Sequence, residues 1–238
     1  MPVSKRQLST VLPVAFIGVV AAVFVVLAFP RFEAALTALP GDRFEAQLSR
    51  GKTLSLTELD RIIDSRRDAL RVSPNPELAK ELALASHRKW AATAGDARRA
   101  AVEQTAEAAR MEITALPLAA YGWWRYARAK TVLAGAPGRE AVKALLMSIR
   151  TQPNAARLMP MRLSTIFRNW IAFSFEERSA LSGEILATWK KNRFPTLELA
   201  RNQAYRVWIR LGIIEADADE IARFDEYLVR FLKKHGLR

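Results

Sequence analysis

Cysteine is absent from the 238 residues, which excludes disulfides and thiolate metal sites and leaves the redox compartment undecided. Histidine is nearly absent: His87 and His235 lie far apart in the chain, each next to lysine or arginine. No HExxH, GxSxG, GxxxxGK[ST] or GxGxxG occurs, so zinc hydrolases, serine hydrolases, P-loop and dinucleotide enzymes all lack their signature. Chemistry by Asp and Glu alone stays open, but no residue is singled out as catalytic, and no metal or cofactor is expected. Runs of alternating apolar and polar residues are also missing, so no strand is expected. Acid is scarce: 24 Asp+Glu stand against 37 Lys+Arg, a net charge of +13.

What is present begins with residues 11–29, VLPVAFIGVVAAVFVVLAF, which carry no charge. Nineteen residues at about 1.5 Å each match the hydrocarbon thickness of a bilayer. The run is too long for the apolar region of a signal peptide, and the Leu-Ala-Phe-Pro at its end is a poor cleavage site. Its lack of charge on every side argues against a soluble surface helix. Residues 11–31 therefore read as an uncleaved anchor after a basic tail, 1–10, that holds Lys5 and Arg6. Arg31, Arg43 and Arg50 lie beyond it. Lysine and arginine counts nearly tie across the run, and the short basic tail tips the orientation toward a cytoplasmic amino terminus.

The positive excess is concentrated in residues 157–210, with ten Lys/Arg and four Glu. Such a face favours anionic surfaces, whether an acidic glycan, anionic lipid or nucleic acid. A solvated arginine-rich face is the plainer alternative. Nucleic acid is the least expected partner, since it requires the domain to face the cytoplasm.

After the anchor, Leu39-Pro40-Gly41-Asp42 is a turn signal, and residues 32–54 read as a juxtamembrane linker. From Ser55 to the end the chain reads as helical. Ser55-Leu-Thr-Glu58 and Ser174-Phe-Glu-Glu177 are capping boxes. Helices are expected over 118–133 and 139–151. Another spans 154–173, interrupted at Pro160, and one more follows Pro195 and stops at Gly212. The last buries Ile221, Phe224, Leu228, Phe231 and Leu232. Breaks at Pro117, Pro153 and Pro195 fall 36 and 42 residues apart, and Ala141, Leu145, Ser148 and Pro153 match the second helix of a tetratricopeptide unit. The expected fold is all-α: one transmembrane helix, then an antiparallel helical-hairpin, tetratricopeptide-like domain over 55–238.

Candidate binding residues come in two clusters. Trp123, Trp124 and Arg125, with Arg128 one turn on, combine aromatic and cationic groups suited to sugars or bases. Adjacent tryptophans cannot both point fully inward on one helix, so one is expected at a boundary. Arg162, Arg168 and Trp170, with Arg157 nearby, form the second cluster, and a carboxylate such as Glu176 or Glu177 could hold its arginines bidentately. In both clusters, packing and ion pairing compete with ligand binding. Asp60, Asp64 and Asp68 form an i, i+4, i+8 ladder that reads as ordinary helix pairing with Arg67 and Arg71.

The stretch from Ala115 to Asn202 resembles the VpsP-like polysaccharide biosynthesis proteins of bacterial exopolysaccharide gene clusters. The resembling residues are 115–125 (ALPLAAYGWWR), 144–153 (ALLMSIRTQP), Leu158, 161–163 (MRL), Trp170, Glu177-Arg178 and 187–189 (ATW). The doubled tryptophan and the arginine load depart from the family pattern. The resemblance implies an apolar amino-terminal helix, an all-helical domain and a non-catalytic role beside polysaccharide machinery. The expected setting is the bacterial inner membrane in a single pass, with the carboxy-terminal domain in the periplasm. Expected partners are a membrane-embedded protein complex or polysaccharide machinery, with acidic glycan or anionic lipid at the basic face. The rivals are a structural subunit of another membrane complex and a carboxylate-dependent glycan enzyme.

Overall fold

The structure is a computed structural model describing residues 5–236, with side chains at Phe16 and from Val19 onward. The basic tail's residues 1–4 and the side chains of Lys5 and Arg6 lie outside the described residues. Everything described is helix, turn or irregular chain, and no strand occurs among the described residues. The chain divides into two compact units, Met1–Ala92 and Thr93–Arg238. The division after Ala92 falls inside the span 55–238 read as one domain, and within the first unit the two helices that follow the apolar one pack with its carboxy-terminal half.

In the first unit, α1 spans Lys5–Ser49, α2 Leu56–Val72 and α3 Pro76–Ala92. Helix α1 is long and apolar enough to cross a membrane, and from Ala21 to Phe29 its side chains are all exposed. The linker expected over 32–54 is instead mostly helix. Pro40 lacks the N–H that would reach the Leu36 carbonyl, and an interior proline commonly ends a helix. Here, Ala34, Ala38, Gly41, Phe44 and Leu48 form one buried stripe of α1, set against α2. Gly41 permits the approach: a Cβ there would collide with Ser65 Oγ and lie 3.2 Å from Ile62 Cα.

Arg66 locks this contact. It is 2 % exposed, donates to the Ala38 carbonyl at 2.6 Å, and pairs with Asp42 at 2.8 Å and Glu81 at 2.6 Å. The residues bonded on either side of Pro40 thus hold the helix through the proline. Burial raises the Glu81 pKa, with Arg66 pulling the other way. Arg66→Ala removes a buried guanidinium from the Ala38 carbonyl and from the part-exposed Glu81 and Asp42 and is expected to cost about 1–3 kcal/mol in the first unit. Limited proteolysis of the full chain should show new cleavage near Pro40–Arg43, and an unchanged digest would contradict this clasp.

The second unit holds α4 (Ala97–Ala115), α5 (Ala120–Ala134), α6 (Arg139–Thr151), α7 (Met159–Arg168), α8 (Phe175–Lys191), α9 (Arg193–Ala200), α10 (Gln203–Ala216) and α11 (Glu220–Lys234). Helices α5 and α6 form a hairpin around Gly135, whose φ of 64° suits glycine. Its seam holds buried Ala141, Leu145 and Ser148, and Ser148 Oγ donates to the Ala120 carbonyl at 2.7 Å. Tyr126 and Lys130 of α5 both reach Glu140 of α6, and burial with the Glu140 hydrogen bond pushes the Tyr126 phenol up to about 12. Trp124, Leu145, Leu163, Ile185, Trp189 and Phe224 share one core.

Three boundaries differ from expectation. Pro160 opens α7, where a missing N–H costs nothing. Asn202 accepts from the N–H groups of Ala204 and Tyr205 at 3.0 and 3.4 Å, starting α10 where one continuous helix was expected. Gly212 sits inside α10 because a Cβ there would lie 2.5 Å from Ile185 Cδ1 on α8.

Arg162, 0 % exposed, binds the end of α6. Its guanidinium donates to Ser148 Oγ at 3.1 Å, the Ser148 carbonyl and the Gln152 carbonyl at 2.9 Å, and pairs with Glu184 of α8 at 3.3 Å. It therefore satisfies carbonyls that a helix terminus leaves without partners and adds favourable charge there. Burial lowers the Arg162 pKa and raises that of Glu184. Arg162→Ala strands the Glu184 carboxylate and is expected to cost about 3–5 kcal/mol. The Arg162→Met/Glu184→Leu pair should recover about half of that loss in thermal unfolding, the part due to the stranded carboxylate, because the Ser148 and Gln152 carbonyls still lose their donor. Equal loss in the single and double variants would contradict the clasp.

At the surface, Glu177 accepts from Arg139 at 2.6 and 3.0 Å and closes the Ser174 capping box. Arg139 first, with the Ser174 backbone N–H, holds its pKa below the ordinary 4.5. A depressed carboxylate contributes stability that is complete above 4.5 and is lost as pH falls through the folded value below it. Glu177→Gln should therefore flatten the acid side of the melting-temperature profile and leave its shape at neutral pH unchanged. An identical acid limb would contradict this.

Candidate functional site

Three helices of the second unit line a cleft of about 530 Å³. Each contributes one stripe at i, i+4 spacing, the geometry that puts side chains on a common face. Trp124, Arg128 and Thr131 come from α5; Pro160, Met161, Ser164, Thr165 and Arg168 from α7; Phe194, Pro195, Glu198 and Leu199 from α9. The walls are mostly apolar, and two guanidiniums and one carboxylate supply the charge.

The cleft is held rigidly. Trp124 Nε1 donates to the Met161 carbonyl at 3.1 Å and to Thr165 Oγ1 at 3.2 Å, fixing α5 to α7. Buried Asn169, just past α7, donates to Thr131 Oγ1 at 2.7 Å and accepts from the Gly138 N–H at 3.2 Å. These bonds set the spacing between Arg128 and Arg168 before any ligand arrives.

Arg128 is half-buried, with its guanidinium 5.4 Å from the Trp124 ring centroid, a cation–π distance. Burial lowers its pKa, and the positive charges of Arg168 and Arg98 push it the same way. Arg168 is exposed, and no ion pair neutralises it among the described residues. Glu198 is bonded to Arg201 at 3.1 Å. The local balance is positive in a wall of low polarity, where charge interactions are stronger than in water.

Of the seven candidate residues, the structure brings Trp124, Arg128 and Arg168 to this cleft and uses the other four elsewhere. Arg125 is buried in an ion pair with Glu112 of α4 at 2.7 Å. Arg162 binds α6 and Glu184, not Glu176 or Glu177 as considered from sequence. Trp170 is 7 % exposed and stacks on Trp208 with centroids 4.7 Å apart. Trp123 is the boundary member of the tryptophan pair, half-buried, with Nε1 donating to the Pro117 carbonyl at 2.8 Å. Outside the cleft, the aspartate ladder pairs as expected at Asp64 with Arg67 and Asp68 with Arg71, while Asp60 meets Lys89 of α3, a pairing the sequence did not show.

Sequence reasoning missed α9 as the third wall, and Arg98 of α4 as a contributor to the field. The four-residue step from Phe194-Pro195 to Glu198-Leu199 was legible only as a helix start. No family model, curated protein or solved structure matches the chain. Functional argument therefore rests on the geometry and on the resemblance read from the residues.

Proposed function

We propose that this chain is a membrane-tethered, non-catalytic accessory protein of bacterial exopolysaccharide assembly, whose helical units present a basic cleft to the machinery or its product. The observation that carries the reading is the union, on one chain, of an exposed apolar helix of bilayer length and an arginine-lined cleft of ligand size. Continuity of α1 from the apolar stretch into the Arg66 clasp favours a retained anchor over a cleaved signal sequence. The polysaccharide context comes from the resemblance to VpsP-like proteins. The cleft's single carboxylate, Glu198, favours binding over glycoside hydrolysis, which ordinarily needs a carboxylate pair. The setting proposed is the inner membrane, with the amino terminus in the cytoplasm and both helical units beyond it.

Removal of the chain from its host should abolish or strongly reduce secreted polymer, and the full chain supplied in trans should restore it. Single cysteines at Gly138 or Asn154 should react with an impermeant thiol reagent on intact cells. Unchanged polymer without the chain would overturn the polysaccharide role, and protection of both positions would overturn the topology.

A further inference from the structure

Helix α10 carries an apolar stripe that its own unit leaves uncovered. The face it buries is Ile209, Gly212 and Ile213, with Gly212 set against Ile185 of α8. On another face Ala204, Val207, Leu211 and Ile214 are all exposed, Val207 by 52 % and Leu211 and Ile214 by 43 % each. They follow one another at intervals of three, four and three residues. That is the spacing of a coiled-coil seam, which keeps apolar side chains turned toward a neighbouring helix over successive turns. Single exposed apolar residues are ordinary, but these four lie in register on one helix with no charge between them on the stripe.

The charges beside the stripe point to what fits it. Arg210 precedes Leu211 on one flank, and Glu215 follows Ile214 on the other. In two parallel helices in register, flanking positions five residues apart meet across the seam and set partner choice and orientation. Arg210 of each copy then meets Glu215 of the other, so the contact is made twice. In the antiparallel alignment that sets Val207 on Leu211, the two Arg210 side chains would face each other instead. Arg210 bonds Asp225 through Nη1, and Glu215 accepts from Ser182 through Oε2. The remaining guanidinium donors and Oε1 are left for the contact across the seam.

The stripe is narrow. Arg210 and Trp208 border it and are engaged within their own chain, with Asp225 and Trp170 respectively, which leaves a strip suited to one neighbouring helix. Two heptads bury less than the roughly 800 Å² per partner of a standard interface. The Trp170–Trp208 stack adds to the apolar area by bringing against α10 the turn that carries Ile171, 76 % exposed. Chains tethered by α1 in one membrane also meet at high effective concentration, which raises the occupancy of a weak contact.

We infer that α10 is the surface through which two copies of this chain pair, parallel and in register, about a two-fold axis beside Leu211. The same patch then serves both partners, as a two-fold interface requires. This goes beyond the accessory role and needs neither the polysaccharide context nor the cleft.

Because the chain has no cysteine, single cysteines report the pairing directly. Leu211→Cys and Ile214→Cys in the full chain, oxidised in host membranes, should each give a disulfide-linked dimer on a non-reducing gel. Ala216→Cys is exposed but lies off the stripe and should give none. Val207→Glu, at an exposed position, should abolish the Leu211→Cys dimer without changing the melting temperature. Glu215→Arg should diminish that dimer by setting two arginines against each other. No dimer from either stripe position, or equal yields from Leu211→Cys and Ala216→Cys, would overturn the interface. A full yield in Glu215→Arg, or crosslinking only between mixed Val207→Cys and Leu211→Cys copies, would overturn the parallel register.

Discussion

The second unit depends on one buried ion pair. Arg162 reaches from α7 to the carbonyls ending α6 and to Glu184 on α8, so three helices meet at a single guanidinium. Desolvating such a pair is expensive, and the cost is offset because nearly every donor of the guanidinium finds an acceptor. The backbone carbonyls matter as much as the carboxylate: without Arg162 they would be left as buried, unsatisfied acceptors. With α7 fixed in this way, its opposite stripe faces α5 and α9, and the cleft follows from the fold.

Arg66 and Arg125 repeat the device. One binds α1 to α2 and α3 within the first unit, and the other binds α4 to α5 in the second. Each pair of helices also closes over a small residue: Gly41 lies against Ser65 and Arg66, and Gly122 against Glu112, where a Cβ would come within 2.8 Å of Cδ. Close backbone approach leaves room for little besides a flat guanidinium and its carboxylate. The arginine content of the chain thus divides by function. One group is buried and paired and holds helices together. A second lies in a cleft or on the surface, where its charge faces outward.

Local signals in the sequence were reliable where the physics is local. Both capping boxes form, at Ser55 and Ser174, and α6 runs over the expected residues. The all-helical class and the long apolar first helix are also as read. Pro40 and Gly212 were misread as stops for one shared reason. Each sits where a helix is held by another helix, through Arg66 in one case and Ile185 in the other, and those contacts are invisible in a single sequence. The candidate site shows the same limit. Trp124, Arg128 and Arg168 share the cleft, but residue type alone could not distinguish Arg168 from Arg162, six positions away. Helical phase separates them: Arg162 faces the α6 terminus, and Arg168 lies on the stripe with Pro160, Met161, Ser164 and Thr165.

The division of arginines into those that hold the fold and those that hold charge toward solvent is the central claim. Its most direct test is a side-by-side melt of Arg125→Gln and Arg168→Gln in the full chain. Arg125→Gln leaves Glu112 buried without its cation and should lower the melting temperature by about 6–12 °C. Arg168→Gln removes a repulsion and should leave the melting temperature unchanged or slightly higher. Equal destabilisation by the two substitutions would contradict the account.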